Sequence, residues 1–119
     1  IENAMKASPF IKECIVIGDR RKFISALIQI DYESVAAWAE DKKIPFTTFR
    51  SLTENKEVFT LISEVVARAN AGLAPVANVR KFHLLTKELD HDDGEVTATM
   101  KIKRSKIYDK YETVIAAMY

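Results

Sequence analysis

Ile24, Ala26, Ile28 and Ile30 recur at every second position of "KFISALIQID", a period that places all four on one face of an extended chain. Just upstream, Ile15 to Ile17 form a β-branched run, and Gly18-Asp19-Arg20-Arg21 between them supplies turn residues. Two strands about a turn are therefore expected, with an apolar face that helices must cover. Cys14, inside "CIVI", is expected to be a buried strand residue. As the single cysteine it cannot form an intramolecular disulfide, which fits a reducing cytoplasm.

The covering helices have their own signals. Glu2 to Lys6 reads as a helical turn stopped at Ser8-Pro9, because proline disfavours helical geometry in the residue before it. Ser34 is expected to cap a helix with Val35, Trp38 and Ala39 on one face, ending before Ile44-Pro45. Ser51-Leu52-Thr53-Glu54 has capping-box spacing, and Val58, Leu61, Ile62, Val65 and Ala69 then mark a long amphipathic helix finishing near Gly72 to Pro75. "NVRKFHLL" predicts a short strand with Phe82 and Leu84 facing one way. A last helix is predicted from about Arg104, with Ile107, Tyr111, Val114, Ile115 and Met118 sharing a face. The mixture gives an α+β class: a small antiparallel sheet flanked by helices.

A chain of 119 residues suits one domain, and folding at this size hides about two thirds of the unfolded surface, enough for a core without metal or disulfide staples. A formal net charge of +1 gives no global field favouring nucleic acid or anionic lipid. The chain opens without Met on what already reads as helix, so it is expected to be a piece of a longer protein.

Several chemistries fail on spacing. In an EF-hand calcium loop the glycine is sixth and a glutamate twelfth. With Gly94 sixth, Leu89 stands first and Met100 last, and neither can offer a carboxylate. "ELDHDDGE" therefore reads as a solvated turn in which Gly94 permits positive φ. His83 and His91 lack the spacing of a helical zinc pair, and there is no Cys–His set. No phosphate-cradling glycine loop, Ser-His-Asp set or paired-carboxylate site is recognisable. Trp38, on a helix face with Val35, reads as core rather than as a ligand platform.

The segment "EVTATMKIKRSKIYDKY" leaves three readings open: a solvated charged surface, a nucleic-acid patch, or a loop that delivers one lysine to an anion. If residues 96–102 are extended, Val96, Ala98, Met100 and Ile102 face inward, while Thr97, Thr99, Lys101 and Lys103 face out. Two short hydroxyls would then flank one ammonium. Aromatics are not interleaved with the basic residues, which counts against nucleic acid.

Over essentially its whole length the sequence resembles the C-terminal domain of AMP-forming acyl-CoA synthetases, with the nearest likeness to bacterial long-chain fatty-acid–CoA ligases. The residues that carry the likeness are "IENAMKASPFIKECIVIGDRRKFISALIQID", "LAPVANVRKFHLL" and "KELDHDDGEVTATMKIKR". The family's last core motif reads approximately Thr-x-Ser-Gly-Lys-Ile-x-Arg. Thr97 takes its threonine position, Thr99 its serine, Lys101 its lysine, and Ile102 and Arg104 also match. Met100 departs from it, standing where much of the family has glycine.

The resemblance implies the lid domain of a two-step ligase. A preceding N-terminal domain, with the hinge, would bind ATP, Mg2+ and fatty acid and form acyl-adenylate. CoA, the co-substrate, would then take the acyl group while the lid presents a different face. Lys101 is implied as the catalytic lysine of adenylation, with Thr97 and Thr99 supporting its loop, and Arg20, Arg21 and Lys22 could meet CoA phosphates or simply form a solvated turn. The implied partners are its own N-terminal domain and the three substrates, with no metal site or nucleic-acid partner on this chain. The whole protein would be cytoplasmic, with peripheral membrane contact open to it, and this piece alone would be inactive. The alternatives are a non-catalytic binding module on the same fold, or a fatty acyl-AMP ligase that stops at the adenylate.

Overall fold

The computed structural model describes residues 2–18, 21–90, 94–97, 99 and 101–119. The chain divides into two compact units, Ile1–Lys87 and Glu88–Tyr119.

The first unit is a three-stranded sheet with helices. Helix α1 (Glu2–Lys6) leads into β1 (Ile11–Ile17), which pairs antiparallel with β2 (Ile24–Ile30). The pairing runs from Ile11 opposite Ile30 to Ile17 opposite Ser25, with one irregularity between Ile11 and Glu13. Helices α2 (Tyr32–Asp41), α3 (Phe49–Thr53) and α4 (Lys56–Ala71) follow, then a 3-10 turn at Pro75–Ala77 and β3 (Val79–Leu84).

β3 pairs with β2 in parallel, so the sheet is mixed rather than wholly antiparallel as the sequence reading had it. The reason is connectivity. The chain leaves one end of β2, runs through three helices and re-enters alongside it, as a parallel pair requires.

Ala26, Ile28 and Ile30 pack with Cys14, Val35, Ala39, Leu52, Val58 and Ile62 in the core of this unit. The alternation read from sequence assigned one buried face to β2. Ser25, Leu27 and Gln29 are buried as well, as suits a central strand paired along both edges. On α4 the buried stripe is Val58, Ile62 and Val66, four residues apart, while Leu61 and Val65 lie at its margin.

Two helix starts differ from the sequence reading. Asp31, not Ser34, caps α2: its Oδ1 accepts the Ser34 N–H at 3.1 Å. Ser51 belongs to a capping box, but with Thr48 and at the start of α3; Asn55 caps α4 by accepting from the Glu57 N–H at 2.8 Å. At the other end of α4 the Asn70 amide clasps both backbone groups of Val79, each at 2.9 Å.

The second unit contains α5 (Arg104–Lys110) and α6 (Glu112–Ala117). They replace the single last helix expected from sequence, because Tyr111 (φ −104°, ψ 20°) leaves helical geometry between them. Ile107, Ile115 and Met118 are nevertheless buried, as their shared face predicts. Among the described residues no helix is long and apolar enough to cross a membrane.

Candidate functional site

The Thr/Lys segment is a closed loop, not an extended strand. Val96 and Ile102 form an antiparallel bridge, and the Thr97 N–H donates to the Lys101 carbonyl at 2.7 Å. The chain thus reverses between 97 and 101. The Thr97 hydroxyl completes the reversal by accepting the Lys101 N–H at 3.0 Å, and it also lies 3.1 Å from the Thr99 hydroxyl. A threonine side chain that can bond a nearby backbone N–H competes with strand geometry, and here it wins. Ala98 and Met100 lie outside the described residues, as does the Met100 departure from the motif.

Thr97, Thr99 and Lys101 are therefore brought together, in an arrangement different from the expected one. Thr97 organises the loop through its oxygen, and Thr99 stands exposed beside it. Lys101 is exposed, and among the described residues no carboxylate lies within ion-pair distance of its ammonium. A projecting cation on a closed loop can meet an incoming anion without first breaking a bond of its own.

Below the loop the sequence reading missed Glu95. It passed as one of several acids in a solvated turn, yet its side chain is 1% exposed. Its Oε2 accepts from the Tyr111 hydroxyl and the Lys110 ammonium, both at 3.0 Å, and its Oε1 from the Asp90 N–H at 3.2 Å. The usable signal was helical spacing: Tyr111 lies four residues beyond inward-facing Ile107, and a buried tyrosine hydroxyl seeks an acceptor. Gly94 has φ +73°, as the turn reading required, at a position where a side chain would be strained. His91, Asp92 and Asp93 lie outside the described residues.

The remaining candidates are quickly placed. Cys14 is buried in β1, and desolvation, reinforced by the Glu2 carboxylate, pushes its thiol up to about 12. Trp38 packs against the core and also borders an open cleft of about 490 Å³ with Lys42, Ile44, Glu57 and Leu61. Arg21 and Lys22 are exposed at the β1–β2 turn, and Arg20 lies outside the described residues. Among the described residues there is no group of three or more His, Cys, Asp or Glu that could hold a metal ion.

Residues 1–119 match the family described as the AMP-binding enzyme C-terminal domain. The chain belongs to that family. It is 32% identical over 120 aligned residues to the long-chain-fatty-acid–CoA ligase FadD15 of Mycobacterium tuberculosis, an alignment covering 100% of this chain and 20% of that protein. The long-chain-fatty-acid–CoA ligase ACSBG1 of Homo sapiens is 28% identical over 137 aligned positions, covering 100% of this chain and 19% of that protein. This C-terminal domain thus spans about a fifth of the length of the curated relatives it matches.

Among solved structures, the A-PCP didomain of carboxylic acid reductase from Segniliparus rugosus, in complex with AMP, superposes with a TM-score of 0.74. The match covers 99% of this chain and 15% of that one at 19% identity, a likeness of fold alone. The fold expected from sequence, helices about a small sheet as in the C-terminal domain of adenylate-forming enzymes, is the one found.

Proposed function

We propose that this domain is the lid of an AMP-forming long-chain fatty-acid–CoA ligase, and that Lys101 is its adenylation lysine. The observation that carries the reading is the exposed Lys101 on the loop closed by Thr97. Family membership and the long-chain ligases among its relatives supply the reaction class.

In the first half-reaction a fatty-acid carboxylate oxygen attacks the α-phosphorus of ATP. A new P–O bond forms, the bond from the α-phosphorus to the bridging oxygen breaks, and pyrophosphate leaves. Two anions must approach, and negative charge builds on the α-phosphoryl oxygens. The Lys101 ammonium, held between them, offsets the repulsion and stabilises that charge. Losing one such donor costs about 10²- to 10³-fold in rate, or about 3–4 kcal/mol.

ATP, the fatty acid and Mg2+ are assigned to a preceding N-terminal domain, which is the partner of this one. In the second half-reaction CoA displaces AMP from the acyl carbon, with Lys101 no longer needed. A cation required in one step and released for the next suits a loop on a domain that changes orientation.

The test uses the whole protein with and without Lys101→Ala. ATP–pyrophosphate exchange driven by palmitate reads the first step, and thioester formation from presynthesised palmitoyl-adenylate and CoA reads the second. Exchange is expected to fall by about two orders of magnitude while the second step survives. Normal exchange in the variant would sink the assignment.

A further inference from the structure

Glu95 is an expensive choice for the base of a surface loop. Taking a carboxylate out of water is unfavourable, and a well-packed apolar residue in its place is often neutral or better for stability. Stability alone therefore gives little reason for an acid at 1% exposure. Its bonds suggest another role.

Several hydrogen bonds and an ion pair from the described residues converge on this residue. Its carboxylate collects the Asp90 N–H, the Tyr111 hydroxyl and the Lys110 ammonium. Its own N–H donates to the Asp90 carbonyl at 3.2 Å, and its carbonyl accepts the Lys103 N–H at 2.9 Å. The last bond spans the stem of the loop, because Glu95 and Lys103 flank the Val96–Ile102 bridge. The carboxylate meanwhile reaches the junction of α5 and α6, where Tyr111 departs from helical geometry. One side chain thus ties the stem of the lysine loop to the helix pair behind it.

We infer that Glu95, with Tyr111 as its anchor, is the positioning residue that aims Lys101. This inference rests on the adenylation role proposed for Lys101. Thr97 is two positions beyond Glu95, so the Thr97–Lys101 pair stands about 7 Å above the pivot at about 3.4 Å per extended residue. A tilt of about 10° at the pivot moves that pair by about 1 Å, and the tip of the long lysine side chain by more. A displacement of about 1 Å at a reacting centre can cost about 10²-fold in rate.

Lys110 contributes differently from Tyr111. Its side chain is 39% exposed, so its charge is partly solvated and its pairing with Glu95 is the weaker constraint. Tyr111 is partly buried and directs a single O–H at the carboxylate. Removing that hydroxyl leaves the ring and its packing in place, which makes Tyr111→Phe the sharper probe.

The experiment uses the whole protein and four variants: Tyr111→Phe, Glu95→Gln, Lys101→Ala, and Tyr111→Phe combined with Lys101→Ala. Palmitate-driven ATP–pyrophosphate exchange and thioester formation from presynthesised palmitoyl-adenylate are measured for each. Tyr111→Phe is expected to lower kcat for exchange by about ten- to a hundredfold, with KM for ATP and palmitate unchanged and thioester formation intact. Placed on Lys101→Ala, it should cost nothing further, because a residue that acts only through Lys101 has nothing left to aim. Glu95→Gln should act in the same direction, and if it fails to fold Tyr111→Phe decides alone.

Exchange within twofold of wild type in Tyr111→Phe would overturn the inference. So would a parallel fall in both half-reactions, or a further fall on the Lys101→Ala background, either of which marks a merely structural residue. If Lys101→Ala itself exchanges normally, the adenylation role fails and the positioning role goes with it. If Lys101→Ala collapses while Tyr111→Phe does not, only the positioning role is lost.

Discussion

Asn70→Ala removes two hydrogen bonds at once without touching the apolar core. The Asn70 Oδ1 accepts from the Val79 N–H and its Nδ2 donates to the Val79 carbonyl, each at 2.9 Å, so one amide fastens the end of α4 to the start of β3. Each such bond contributes about 1 kcal/mol net, so the pair is worth about 2 kcal/mol. Val79 is buried, so any backbone group left dry after truncation raises the loss toward about 3 kcal/mol. For a domain of this size 2 kcal/mol corresponds to a fall in Tm of about 8 °C or more. The assay is urea unfolding of the chain followed by fluorescence of its single tryptophan, Trp38. The midpoint should drop with an unchanged slope, since the buried area is nearly the same. Asn70→Asp, which keeps an acceptor for the Val79 N–H but loses the donor to its carbonyl, should fall between the two. A change below about 0.5 kcal/mol in Asn70→Ala would mean that water replaces the amide without loss, and the latch would carry no net stability.

Two further outcomes follow from titrating groups. With its thiol pushed from 9.0 up to about 12, Cys14 holds about a thousandfold less thiolate at pH 8 than an unperturbed cysteine; a disulfide reagent should label it at least that much more slowly in the native chain than in urea, and comparable rates would refute its burial. Burial lowers the His83 pKa below 6.5, so the unfolded chain takes up the proton first; stability is fully present above about pH 6.5 and declines as pH falls below it. His83→Gln should flatten that decline in urea midpoints compared across the interval, and an unaltered slope would sink the assignment.

Periodicity made the elements legible: Val58 and Ile62 announce α4, and Ile24 to Ile30 announce β2. Capping was legible as chemistry but not as address. Thr48, Ser51 and Asn55 all stand near a helix start, and which N–H each serves depends on where the chain bends. The direction of β3 was not legible either, since strand pairing across three helices leaves no local trace. Motif likeness singled out Thr97, Thr99 and Lys101 as candidates, and the structure holds them on one loop. The condition of an extended 96–102 nevertheless fails at Thr97 and Lys101, where the Lys101 N–H bonds to the Thr97 hydroxyl. Glu95 escaped because a run of acids looks uniform until tertiary packing selects one of them.

The parallel pairing of β2 with β3 also bears on how the chain is made. β1 and β2 can close as a hairpin soon after both are synthesised, but the second edge of β2 stays open until Val79–Leu84 has emerged. Until then an isoleucine-rich strand offers unpaired N–H and C=O groups to any neighbouring chain, the setting in which nascent proteins aggregate. A chain cut short within α4 would keep that hazard for good, so β3 acts as the chain's own late-arriving guard.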